Sequence, residues 1–114
     1  MIIDDKACLI AEIADEKKVD NPTSWQLGQN YPNPFNSVTL IDYAVPEASH
    51  VKLMIYNLVG QKLITLVDEI KQPGYYRASW NGFDDRKRFV GSGVYIYKIE
   101  AGKYEATKKM VLLL

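Results

Sequence analysis

The chain has 114 residues, 47% of them hydrophobic, which suits one domain with a modest core and a short appendage. Fourteen basic residues balance fourteen acidic ones, so no global field draws nucleic acid or an anionic membrane surface. With Cys8 the only cysteine and His50 the only histidine, an internal disulfide, a cysteine-based zinc site and a Cys-His dyad are all excluded.

The first stretch, "MIIDDKACLIAEIADEKK", has neither a basic n-region nor an unbroken apolar h-region, and no later run approaches the ~20 apolar residues of a membrane span. Any export address is therefore expected on a larger precursor. Ile3, Ala7, Ile10 and Ala14 recur at helical spacing, with Leu9 and Ile13 on an adjoining face; residues 3–17 read either as a short amphipathic helix or as the last strand of a preceding domain. Residues 15–24, "DEKKVDNPTS", are charged and then turn-forming, which suits a linker. The expected division is 1–24 as an N-terminal extension and 25–114 as the folded domain.

Tyr31, Pro32, Asn33, Pro34, Phe35 and Asn36 follow, with two prolines in six residues. Proline fixes φ and pushes its predecessor towards extended geometry, and it cannot donate to a sheet ladder. This segment is read as a rigid opening to a β domain, one that holds the linker clear of the sandwich.

From Ser37 the period is two. Thr39, Ile41, Tyr43 and Val45 alternate with Val38, Leu40, Asp42 and Ala44 in a strand stopped by Pro46. Val51, Leu53 and Ile55 give one face of a second strand, "KLITLV" a third, and "YYRASW" after Pro73-Gly74 a fourth, with Tyr76, Ala78 and Trp80 on one side. A polar loop, "NGFDDRKRFVGSG", leads to "VYIYKIEA", and Gly102-Lys103 reverses the chain into "YEATKKMVLLL". Short strands, regular turn signals and no intervening helical pattern predict an all-β fold, an antiparallel immunoglobulin-like sandwich of six to seven strands.

The residues that carry chemistry elsewhere have plainer roles here. His50 follows the turn "PEAS" with no nucleophile elbow nearby. Asp84-Asp85 and Asn81 lack EF-hand spacing, and turn formation is the favoured role over calcium binding; Arg86, Lys87 and Arg88 beside them read as a solvated loop tip. Tyr95 and Tyr97 lie two apart with Ile99 on one strand face, which favours core over a sugar-stacking platform. Lys108 interrupts the face formed by Tyr104, Ala106, Met110 and Leu112 before the run "MVLLL". Two readings stay open for it: a strand covered on both sides with a bulge at Lys108-Lys109, or a C-terminal docking signal.

Five stretches in fixed order, "YPNPFN", "VKLMIYNLVGQKLITLVD", "PGYYRASWNGFDD", "SGVYIYKIEAG" and "ATKKMVLLL", closely resemble the C-terminal sorting domain of type IX secretion cargo in Bacteroidota. The resemblance implies a non-catalytic signal without cofactors. Such a domain directs a parent cargo, after periplasmic transit, through an outer-membrane translocon to the cell surface or the medium, and a sortase commonly removes it around residues 20–30. It places the translocon-recognition positions on Gly93, Val94 and Tyr95, after Ser92, and on Lys108, Lys109, Met110 and Val111, so deletion of Met110–Leu114 is expected to abolish export. An exposed edge strand able to join a partner sheet would serve many cargoes, and also makes a homodimer one option. Two departures from similar sequences fall in loops: Ser37 stands where a proline is frequent, and Lys87 where a glycine is frequent. Part of the pattern also resembles the immunoglobulin-like domain of flagellar hook-capping proteins, a structural spacer. The alternative function is a carbohydrate-binding or adhesive module accompanying a secreted hydrolase.

Overall fold

A computed structural model describes residues 21–114 as seven strands with no helix. The expected helix or strand at 3–17 and most of the expected linker lie outside the described residues. The strands are β1 (Gln26–Leu27), β2 (Thr39–Val45), β3 (Ser49–Tyr56), β4 (Lys62–Lys71), β5 (Gly74–Trp80), β6 (Gly93–Ala101) and β7 (Tyr104–Leu112). They form two antiparallel sheets, β1-β2-β5 and β4-β3-β6-β7, the arrangement expected of an immunoglobulin-like sandwich.

Alternation along each strand sets the inner faces. Ile41, Tyr43, Val45 and Trp80 come from the smaller sheet, and Val51, Leu53, Ile55, Tyr97, Ile99, Met110 and Leu112 from the larger; all are buried. Trp80 lies edge-on to Tyr95 with ring centroids 5.5 Å apart, and its indole N–H donates to the Phe83 carbonyl at 2.9 Å, so its polar atom is satisfied. Tyr95 and Tyr97 are therefore core residues, and the sugar-platform role has no exposed ring at either position.

Two elements differ from their sequence reading. β4 runs on through Asp68, Glu69 and Ile70 to Lys71, beyond the apolar run that marked it. Its pairing with β3 shifts register at Leu53/Met54 and at Ile55/Tyr56, bulges that twist this edge strand. β7 is the other edge of the same sheet, and its pairing with β6 keeps one unbroken register from Tyr104 to Leu112. There is no bulge at Lys108-Lys109. Lys108 instead keeps its place on the inner face at half-burial, where the open sheet edge lets its long stem lie along the core while the ammonium reaches water.

The loop between β5 and β6 is built on Asp84. One carboxylate oxygen accepts the backbone N–H groups of Arg86 and Arg88, each at 2.9 Å, and the other accepts Arg88 Nε at 3.2 Å. The bond from the Arg88 backbone is the main cause holding the Asp84 carboxyl below its usual range. These oxygens organise a turn, as the sequence suggested. Lys87 has φ +63°, the only non-glycine residue with positive φ among those described, which explains why glycine suits that position.

Candidate functional site

The two prolines of the opening segment are both in cis peptides, Tyr31-Pro32 and Asn33-Pro34. Trp25 and Gln26–Leu27, just before the segment, already lie against the sandwich, and the segment does not stand apart from it. It forms part of the wall. Tyr31 exchanges backbone bonds with Leu40 at 2.9 and 2.8 Å, and Phe35 enters the core, with its ring 5.7 Å from that of Trp80. Tyr31 itself stays on the surface, 76% exposed.

After Gln26–Leu27 have paired with β2, residues 29–36 run alongside the end of β7 in the same direction. The Trp25 ring stacks on Tyr104 at 5.3 Å. Farther along, Gln29 Nε2 donates to the Lys109 carbonyl at 2.8 Å, and Asn33 Oδ1 accepts the Val111 N–H at 2.9 Å. Phe35 closes the strap: its N–H donates to Val111 O at 3.0 Å, and its carbonyl accepts the Leu113 N–H at 2.9 Å. The opening segment and the last strand are thus bonded to each other, although they are far apart in sequence.

The expected recognition positions gather at the same end. Gly93, Val94 and Tyr95 pair with Leu112, Val111 and Met110, and Lys109 and Lys108 pair with Ile96 and Tyr97. Burial divides them. Tyr95 and Met110 face the core, and the Tyr95 hydroxyl lies 2.8 Å from both the Val90 and Gly91 carbonyls, with burial raising its pKa and keeping the phenol neutral. Val94, Lys109 and Val111 lie on the outer face of the sheet, where a partner can reach them. The Leu114 N–H donates to Ser92 Oγ at 3.1 Å, tying the two motifs once more.

Sequence reasoning missed the polar joint beneath this end. The Tyr97 hydroxyl donates to the Gly28 carbonyl at 2.6 Å and accepts the Asn30 N–H at 2.9 Å, joining the larger sheet to the strap. Asn30 Nδ2 donates to Thr39 Oγ1 at 2.9 Å, and Thr39 Oγ1 donates to the Pro32 carbonyl at 2.9 Å. Thr39 on an otherwise apolar strand face was the one available signal; nothing local marked Gln29 or Asn30. Burial pushes the Tyr97 phenol up to about 12, against a smaller opposing effect of the Asn30 N–H. A raised native value makes the neutral phenol a stabilising form: its contribution is complete below about pH 10 and is lost as pH climbs through about 12. Tyr97→Phe is expected to cost roughly 1–3 kcal/mol in urea melts at pH 8, because it strands buried backbone groups. The gap to wild type should narrow above pH 10, and a gap that stays constant to pH 12 would contradict this burial.

His50, 54% exposed at its side chain, pairs with Asp68 on the neighbouring strand. Among the described residues no three His, Cys, Asp or Glu side chains gather in a metal-holding group, and no helix is long and apolar enough to cross a membrane.

The family model of the secretion system C-terminal sorting domain matches residues 29–113. The chain belongs to this family. Its match takes in both the strap and β7, and the domain is a C-terminal sorting signal of type IX secretion, addressed to the cell surface or extracellular space. Among solved structures, the sorting domain is similar to dimeric latent PorU from Porphyromonas gingivalis, at 15% identity with a TM-score of 0.65, over 90% of this chain and 10% of that chain. That likeness concerns the fold. The sorting domain thus spans about a tenth of that relative. No curated protein matches.

Proposed function

We propose that the sorting domain acts as a folded, non-catalytic handle for a larger cargo, read by the type IX translocon at the end where the strap meets β6 and β7. The observation that carries this reading is the convergence of the two family-like motifs, the strap and the terminal strand, into one bonded unit. Recognition positions in the core, Tyr95 and Met110, shape that end, while Val94, Lys109 and Val111 offer it to a partner, with Lys108 half-buried and Gly93 at the strand start.

The handle begins at Trp25, whose ring is already stacked on β7. Residues 1–24 belong to the cargo linker, and a sortase cut within residues 20–30 falls at this border; attachment of the cargo to the surface would follow the cut. Transit through the periplasm on the precursor's own signal peptide precedes translocation. The test is to fuse the whole chain behind a periplasmic reporter in a host that has type IX secretion. Reporter at the surface or in the medium is the expected result, and complete periplasmic retention overturns the reading. The mass of the released reporter places the cut.

A further inference from the structure

We propose that the uncovered edge of β7 from Glu105 to Lys109 receives an extended, acidic strand of the secretion machinery; this rests on the sorting reading and specifies how the handle is held. Backbone groups alternate in direction along a strand. The strap bonds show which ones face outward on β7: the N–H and C=O of Val111, the N–H of Leu113 and the C=O of Lys109. The same parity turns outward the N–H and C=O of Glu105 and Thr107 and the N–H of Lys109. Among the described residues none of these five groups has a hydrogen-bonding partner. The strap therefore closes the last part of the edge and leaves a short open window before it.

Charge selects the occupant. Lys108 and Lys109 stand at the strap end of the window, one towards each face of the sheet. Among the described residues neither has a carboxylate within ion-pair distance, whereas Glu105 and Glu100 share Lys98 at 3.8 and 3.0 Å. An added strand finds backbone donors and acceptors along the window and, beside it, two ammonium groups that no carboxylate of the described residues pairs. A strand with carboxylates near Lys109 fits; a basic one is repelled. The competing role for these lysines is protection of the edge against indiscriminate pairing.

Proline separates the possibilities, because at an outward N–H it removes no ladder bond yet blocks strand addition. Thr107→Pro in the full chain is expected to keep its Tm within about 4 °C of wild type, while export of the fused reporter falls about tenfold or more, a difference of roughly 1.4 kcal/mol or more. Lys109→Glu should lower export similarly, and Lys109→Arg should preserve it. If the wild-type fusion is itself retained, the sorting reading fails, and with it this inference. Export of the wild type together with unchanged export of folded Thr107→Pro and Lys109→Glu overturns the edge site alone. Should Thr107→Pro lose its cooperative melt, Lys109→Glu decides by the same criterion. A dimeric wild type that Thr107→Pro converts to monomer with export unchanged assigns the edge to a second copy and overturns the acidic partner.

Discussion

Deletion of Met110–Leu114 is expected to leave the domain without a cooperative thermal transition. Met110 and Leu112 are fully buried on the inner face of β7, and losing a Met or Leu from a core typically costs about 2–5 kcal/mol each. The deletion also removes the pairs that Gly93, Val94 and Tyr95 make with β7, together with the Phe35 bonds to Val111 and Leu113. The sum reaches the whole stability of a typical domain, about 5–15 kcal/mol. Loss of export in this variant would therefore report unfolding and not lost recognition, which changes what such a truncation tests. Removing only Leu113 and Leu114, exposed at 52% and 78%, leaves the core intact and is the informative deletion for export. Circular dichroism melts of both variants check this; a cooperative melt in the five-residue deletion would show that the last three residues of β7 are dispensable to the core.

Phe35→Ala is expected to be the most destabilising single change in the strap, by about 3–5 kcal/mol. The ring is 2% exposed and packs on Trp80, and its backbone clasps β7 on both sides of Leu112. In a domain of this size the Tm should fall by on the order of 20 °C. Tyr31→Ala, four residues earlier and largely exposed, should stay within about 0.5 kcal/mol of wild type. Denaturant melts of the pair test the division of the motif into an anchor and a surface ring. Equal losses in the two variants would contradict it.

Much of the fold was legible because its strands carry their own period. In Ile41 to Val45, Val51 to Ile55 and Tyr95 to Ile99 every second residue is large or apolar, and each of these faces became core. β1 was not legible, since two residues cannot show a period and Gln26–Leu27 are held by pairing with Ala44 and Tyr43. The polar end of β4 was missed for a related reason: an edge strand is open to solvent and needs no apolar alternation. The strap was legible only in part. Its prolines and asparagines describe local stiffness correctly, but Phe35 is placed by contacts with Trp80 and β7 that no local pattern encodes. At the candidate site, sequence resemblance gathered the motif positions, while alternation decided which of them face outward. The Tyr97–Asn30–Thr39 joint came from neither, because its bonds link residues up to 69 positions apart.

The parallel course of the strap and β7 has a mechanical consequence. The chain enters beside Tyr104 and leaves beside Phe35, at opposite ends of the paired segments. Tension between a cargo drawn from the N-terminal side and a domain gripped by its last residues would load these contacts in shear. The Gln29, Asn33 and Phe35 bonds then carry the load together, where an antiparallel hairpin would unzip one bond at a time. A handle built this way holds fast when pulled along its length, yet peels readily when the strap is lifted from the side.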